Sequence, residues 1–224
     1  MSYTCRYMLR RIPARELVQA QTALFVAIAL QGLVWKINDQ LLVGPQYLII
    51  PTEFVLAVLI GFTVNLHSVR WHRLHHTFAL ALPALISIAN ISSLILVLHS
   101  LIIGHASVTG TELLASAIAI FATNIIVFAL WYWEIDSPGL TRKRWSKSDQ
   151  DFQFIQQDMP RDYPQWRPEF LDYLYVSVTN AINFAPADTR PLTHAAKLLM
   201  GLQALVSVFT LALVIARSVS ILGI

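Results

Sequence analysis

Three polar side chains follow one another at intervals of three residues in an apolar stretch near the end of the chain: Ser177, Asn180 and Asn183. This spacing keeps them on one side of a helix. Such a face can line a polar path through a membrane. It can equally form hydrogen bonds to neighbouring helices, which polar groups in lipid need in any case. Further along the chain, Gly201 is a candidate hinge or a point where two helices pack closely.

Acidic side chains beside apolar segments form a second group of candidates. Asp172 lies about one turn inside the same stretch, where an ionisable group is costly and often functional. It either has a function of its own or pairs with Arg167 or Arg73. Glu134 and Asp136 follow another apolar segment, and they can bind a cation or form a salt bridge at the membrane interface.

Histidines are concentrated in residues 70–76, which read Arg-Trp-His-Arg-Leu-His-His. His72 shares a helix face with both His75 and His76, a spacing compatible with a metal site or a pH switch. No carboxylate lies nearby in sequence to support a metal. Basic and aromatic segments at the cytoplasmic interface bind anionic lipid headgroups. We therefore predict a headgroup interface formed by Arg70, Trp71, His72 and Arg73.

Sequence motifs of known enzyme classes are not found. The chain has no Gly-x-Ser-x-Gly, no His-Glu-x-x-His, no phosphate loop and no pair of catalytic carboxylates. Cys5 is the only cysteine, which excludes an intrachain disulfide or a cysteine-based metal cluster. We expect no enzymatic activity, no cofactor and no metal.

The composition is that of a protein embedded in lipid. The chain has 224 residues, of which 56% are hydrophobic and only 13% charged, and its mean hydropathy is +0.57. Soluble domains carry roughly 25% charged residues. The net charge of +3 is explained by basic cytoplasmic loops, and we expect no nucleic-acid partner.

Apolar runs predict an all-α fold, a polytopic bundle of six transmembrane segments at 17–35, 47–66, 78–103, 113–133, 170–184 and 195–219. In the second segment, Pro51 is expected near the helix start with Glu53 in the first turn. The fourth ends in the aromatic residues 131–133, typical of a membrane interface. The fifth is at most about 26 Å long as a helix, so it is either a short span or a re-entrant half-helix.

Basic residues predict the orientation in the cell (inner) membrane. With the N-terminus in the cytoplasm and six spans, every Lys and Arg lies inside except Lys36, Arg190 and Lys197. Both termini are then cytoplasmic. The chain divides into a four-helix region (1–133), a polar cytoplasmic loop (134–167) and a C-terminal helical hairpin (168–224). The loop is a candidate surface for a protein partner, with a short helix expected at 151–158.

The C-terminal residues show a resemblance to a known family. Residues 172–179 (Asp-Tyr-Leu-Tyr-Val-Ser-Val-Thr), a turn with Asp188, and the helix 195–217 together resemble the pore helix and inner helix of two-transmembrane potassium channels. The whole chain resembles a group of uncharacterised bacterial multi-pass inner-membrane proteins with such a C-terminal part. Potassium channels have a glycine-containing filter after the pore helix. Residues 183–187 (Asn-Phe-Ala-Pro-Ala) contain no glycine, so potassium selectivity is not expected.

Two functions are the main alternatives, and a third, a membrane enzyme, rests only on Asp172 and the histidines. The first is a channel-like or transport-related protein, in which a homo-oligomer surrounds an axis with segments five and six. The resemblance and the Ser177/Asn180/Asn183 face favour it. The second is a non-conducting scaffold or accessory subunit that binds a partner, which the missing glycine filter favours.

Overall fold

A computed structural model describes residues 14–37, 46–63, 69–103, 109–136, 150–164, 166–184 and 188–222 of the chain. Side chains are described in these ranges except at 14, 46–47, 61–63, 69–79, 101–103 and 220–222. Helices account for nearly all of this structure. The elements, in chain order, are α1 (Ala14–Ile37), α2 (Gln46–Thr63), α3 (Val69–Ile103), α4 (Gly110–Asp136), β1 (Phe152–Phe154), α5 (Ile155–Asp158), α6 (Phe170–Asn183), β2 (Thr189–Pro191) and α7 (His194–Leu222).

Among the residues that the structure describes, four helices are long and apolar enough to cross a membrane, which fits a membrane protein. Their apolar stretches are 21 to 27 residues long and belong to α1, α3, α4 and α7. At about 1.5 Å per residue, each exceeds a hydrocarbon core of about 30 Å. The all-α class is thus confirmed. The predicted count of six segments is not, because α2 is a shorter apolar helix and α6 has only 14 residues.

Polar side chains define where several helices begin. At the start of α4, Thr109 and Glu112 form a capping box, in which each side chain accepts a hydrogen bond from the backbone N–H of the other. Thr193 accepts a hydrogen bond from Ala196 N at the start of α7. α6 ends where Phe184 adopts a left-handed conformation with φ 57°.

Helix α4 is the centre of the bundle. In its apolar stretch 61% of the residues are buried, against 33 to 39% in the other three long helices. It packs against α1, α3, α6 and α7, whereas α2 packs against α1 and α3. Beyond the first turn of α7, its exposed side chains are apolar, as on a helix that faces lipid.

Aromatic side chains fill the end of the bundle at which α4 finishes. Tyr132 and Trp133 are fully buried there. Tyr132 packs edge-on against Phe152 of β1, and Trp133 packs edge-on against Phe170 of α6. Two of the three aromatic residues predicted to mark a membrane interface are thus covered by protein, because the chain after α4 folds back over them.

A two-stranded sheet joins the two loops at this end. β1 pairs antiparallel with β2, with Phe152 opposite Pro191 and Phe154 opposite Thr189. The short surface helix predicted at 151–158 is thus a strand followed by the single turn α5. The pairing brings the polar loop after α4 together with the connection between α6 and α7. This does not fit a six-span order, in which these two loops lie on opposite sides of the membrane.

Candidate functional site

Gln203 of α7 is the centre of a buried polar network between α4, α6 and α7. Its side chain is 0% exposed. Its Oε1 accepts hydrogen bonds from Tyr132 Oη at 2.5 Å and from Asn180 Nδ2 at 2.8 Å. Its Nε2 donates to Ser177 Oγ at 2.7 Å and to Ser177 O at 3.0 Å. A primary amide has two donor hydrogens and two acceptor lone pairs, so the hydrogen-bonding capacity of Gln203 is fully used.

Two of the three side chains predicted to share a polar face belong to this network. Ser177 Oγ donates to Ile125 O of α4 at 2.6 Å. Asn180 Nδ2 also donates to Met200 O of α7 at 3.0 Å. Both residues are buried, whereas Asn183 is exposed and lies outside the network. The structure thus shows Ser177 and Asn180 in the second of their two predicted roles, as interhelical hydrogen-bonding groups, and it places Asn183 outside the network.

The network continues along the interface of α4 and α7. Asn124 Nδ2 donates to Ser207 Oγ at 3.0 Å, and Thr210 is buried one turn further along α7. Sequence reasoning missed this row. The signal was present, since Gln203, Ser207 and Thr210 follow the helical spacing i, i+4, i+7 within an uncharged apolar stretch.

Asp136 connects the end of α4 to the polar segment. Its Oδ1 accepts hydrogen bonds from the backbone N–H groups of Asp151 and Phe152, at 2.6 and 3.0 Å. Its Oδ2 accepts from Tyr173 Oη at 2.6 Å. The two predicted roles were a cation site and a salt bridge at the interface. The structure shows a third, in which the buried carboxylate anchors β1 and α6 to α4.

Asp172 is a capping residue in the first turn of α6. It is half-buried in the first turn, and its Oδ2 accepts a hydrogen bond from Glu169 N at 2.7 Å. Burial raises the pKa of the Asp172 carboxyl, and the hydrogen bond from Glu169 N acts in the opposite direction. Arg167, one of its two proposed partners, is exposed, and the side chain of the other, Arg73, is not among those described.

Glu53 is the acid that sequence reasoning passed over. α2 begins at Gln46, so Pro51 lies inside the helix and Glu53 is about two turns from its start. Its side chain is 0% exposed. Neither of its carboxylate oxygens has a hydrogen-bond partner. The prediction that Pro51 and Glu53 occupy the first turn is therefore wrong.

Further buried oxygens without a hydrogen-bond partner lie on α1, which packs against α2. The side-chain oxygens Oε1 of Gln19 and of Gln31 are buried without a hydrogen-bond partner, although Gln31 Nε2 donates to Ile86 O of α3 at 3.5 Å. These atoms, like the two of Glu53, are acceptors. Buried acceptors of this kind are satisfied by a donor that enters the site, such as water or an acid proton.

Other predicted residues stay as predictions. The side chains of the headgroup interface at 70–73 and of the neighbouring histidines lie outside those described. Gly201 lies on a continuous α7, and a Cβ atom placed there would meet nothing within 4 Å, so no helix of the described chain packs closely against it. Among the described residues, no group of three or more His, Cys, Asp or Glu could hold a metal ion.

Comparison of the chain with protein-family models, with curated proteins and with solved structures finds no match.

Proposed function

We propose that the protein has a transport-related role in the membrane, with Glu53 as the group that takes up and releases the transported cation, in the simplest case a proton. The observation that supports this proposal is the state of the Glu53 carboxyl. It is fully buried on an apolar helix, and both of its oxygens lack a hydrogen-bond partner. It is also the only charged residue of α2.

The reason is the cost of an uncompensated charge. An ionised carboxylate in apolar surroundings without a partner costs several kcal/mol, so it binds a proton or a cation. Ionisable groups inside membrane segments occur in proton relays and ion pathways for this reason. The unpartnered oxygens of Gln19 and Gln31 on the adjacent helix are further buried acceptors, to which water that accompanies a cation can donate.

In this proposal, the polar network of α6 and α7 has a structural role. Ser177, Asn180 and Gln203 already use their polar atoms in hydrogen bonds between helices. A permeant ion on that face would have to replace these bonds. Transport at Glu53 needs no such exchange, because its oxygens have no bonds to break.

Flux through purified protein in liposomes tests the proposal. Proton, potassium, sodium and chloride flux are measured in parallel, with wild type, Glu53→Gln and the control Glu169→Gln, which removes an exposed acid at the start of α6. We expect cation flux in the wild type and in Glu169→Gln, and flux at the level of protein-free liposomes in Glu53→Gln. Undiminished flux in folded Glu53→Gln would overturn the role of Glu53. No cation flux from folded wild type would favour the non-conducting scaffold.

We further propose that α6 is re-entrant and that five helices, α1, α2, α3, α4 and α7, cross the membrane. Two observations support this: the pairing of β1 with β2, and the hydrogen bond from Tyr175 Oη of α6 to Asp188 at 3.1 Å. Both bring the chain after α6 back to the end where α6 began. With the N-terminus inside, every Lys and Arg except Lys36 and Arg217 is then on the inner side. The C-terminus is outside in this arrangement.

Reporter fusions distinguish the two arrangements in a bacterial host. An alkaline phosphatase fused after Ile224 is active only outside the inner membrane, and a green fluorescent protein is fluorescent only inside. Five crossings predict an active phosphatase and a dark fluorescent fusion. The opposite pattern would restore six crossings with both termini inside.

A further inference from the structure

A cavity of about 340 Å³ lies between the end of α6, strand β2 and the first turns of α7. Phe184, Arg190 and Lys197 line its mouth and are exposed, so the cavity opens at the surface. It lies at the end of the bundle that holds the β-sheet. Glu53, on α2, does not line it, and the function proposed above does not use it.

One side of the cavity is cationic. Arg190 projects from β2 and Lys197 from the first turn of α7, and both line the space. In the described part of the chain, neither side chain forms an ion pair with a carboxylate. Asp188, the acid closest to Arg190 in sequence, instead accepts a hydrogen bond from Tyr175 Oη. Two cations without a protein counter-ion create a site for an anion with several acceptor oxygens.

The other side of the cavity is apolar and follows α7 towards the middle of the helix. Met200, Gly201 and Ala204 line it. The surface over Gly201 is open, because a Cβ atom there would meet nothing within 4 Å. Beyond the cavity the exposed face of α7 stays apolar, with Leu205 and Val208 exposed in the next turns. A hydrocarbon chain can therefore lie against α7 from the cationic end inwards.

From this combination we infer that the cavity binds an anionic phospholipid, with its phosphate against Arg190 and Lys197 and an acyl chain along α7 over Gly201. The two cations favour a ligand with an anionic headgroup, and the apolar groove favours a ligand with an acyl chain. The position at the end of α7, beside the polar loop, matches the depth at which headgroups meet transmembrane helices. A basic pocket between transmembrane helices is a known form of lipid headgroup site.

Native mass spectrometry of the full chain tests the inference. The protein is equilibrated in detergent with equal amounts of phosphatidylglycerol and phosphatidylcholine, and the bound lipid is counted. We expect the wild type to retain phosphatidylglycerol selectively. In the double variant Arg190→Gln/Lys197→Gln, the affinity for phosphatidylglycerol is expected to fall about thirtyfold, from the contribution of two basic residues near a headgroup. The control Arg161→Gln/Arg167→Gln removes the same charge from exposed positions outside the cavity and should bind as the wild type does.

A second variant separates a lipid from free phosphate. Gly201→Leu keeps both cations and places an apolar side chain in the groove, at a position where the added Cβ atom meets nothing within 4 Å. Loss of phosphatidylglycerol from Gly201→Leu, with inorganic phosphate unable to displace the lipid from the wild type, supports a phospholipid site. Displacement by inorganic phosphate, with equal phosphate binding to wild type and Gly201→Leu, would assign the cavity to a free anion and overturn the inference. Equal lipid binding by the double variant and its control would overturn it as well.

Discussion

Two polar side chains in different regions of the bundle are buried to the same degree but differ in their hydrogen bonding. Gln203, between α4, α6 and α7, and Glu53, on α2 beside α1 and α3, are both 0% exposed. The amide of Gln203 makes four hydrogen bonds to three neighbouring side chains and one backbone oxygen. The carboxylate of Glu53 makes none.

The two side chains differ in the hydrogen-bond partners that the fold provides. A buried polar group with all its partners stabilises the packing of the elements that it joins, and an orphan group lowers the stability of the folded state. Buried polar groups without partners are rare in folded proteins, so each one needs a physical reason. The burial of Gln203 is explained by its hydrogen bonds between helices. Under the proposed function, a proton or cation completes the Glu53 site.

The largest expected effect is from Gln203→Leu. The substitution keeps most of the volume but removes one buried hydrogen-bond partner from each of Ser177, Asn180 and Tyr132. We expect the free energy of unfolding to fall by about 3 kcal/mol. Unfolding in mixed micelles with increasing sodium dodecyl sulfate measures it. The control Gln21→Leu alters a half-buried glutamine of α1 outside the network and should change stability much less. Equal loss in both variants would contradict the structural role of Gln203.

The opposite sign is expected for Glu53→Leu. Replacing an unpartnered buried carboxyl by an apolar side chain of similar volume removes a desolvation cost, and we expect a gain of about 2 kcal/mol in the free energy of unfolding. The same micelle titration measures this gain, and liposome assays should show lost cation flux at the same time. A destabilised Glu53→Leu would mean that the carboxyl has a partner in the folded protein, and the contrast with Gln203 would disappear.

Much of the helical framework could be predicted from the sequence. Long apolar runs bounded by Pro, Gly and charged residues locate α1, α4 and α7 within a few residues of their observed ends. The pairing of β1 with β2 could not be found in this way. Its strands have three residues each and are separated by α6, so only the folded chain brings them together.

The candidate site was predictable only in part, and the two regions show why. Ser177 and Asn180 could be placed on one helix face by their spacing, but spacing does not reveal whether a face meets another helix or an open path. Glu53 was missed because Pro51 is a common first residue of a helix. In the structure the helix begins five residues earlier, at Gln46, and the same acid lies in the interior.

A smaller effect is expected for Asp136→Asn, which tests a buried acid that has partners. The amide oxygen of the new side chain would still accept from the N–H groups of Asp151 and Phe152, but the Tyr173 hydroxyl would lose a charged acceptor. We expect a loss of about 1 kcal/mol in the free energy of unfolding. Hydrogen exchange at the Phe152 amide measures the local effect, with the exposed Asp162→Asn as control. If Asp136→Asn were neutral or stabilising, hydrogen-bond partners would not distinguish Asp136 from Glu53.

The smallest effect is expected for Gly201→Ala, which asks whether α7 moves. α7 is a continuous helix, and a methyl group at Gly201 meets nothing within 4 Å. Alanine therefore restricts the backbone without a clash, and we expect a gain of about 0.5 kcal/mol in the free energy of unfolding. Since the network fixes α7 to α4 and transport is assigned to Glu53, liposome flux should stay at the wild-type level. A marked fall in flux with this small gain in stability would instead indicate that Gly201 is a hinge. The moving part of the molecule would then be α7, which the network joins to α4.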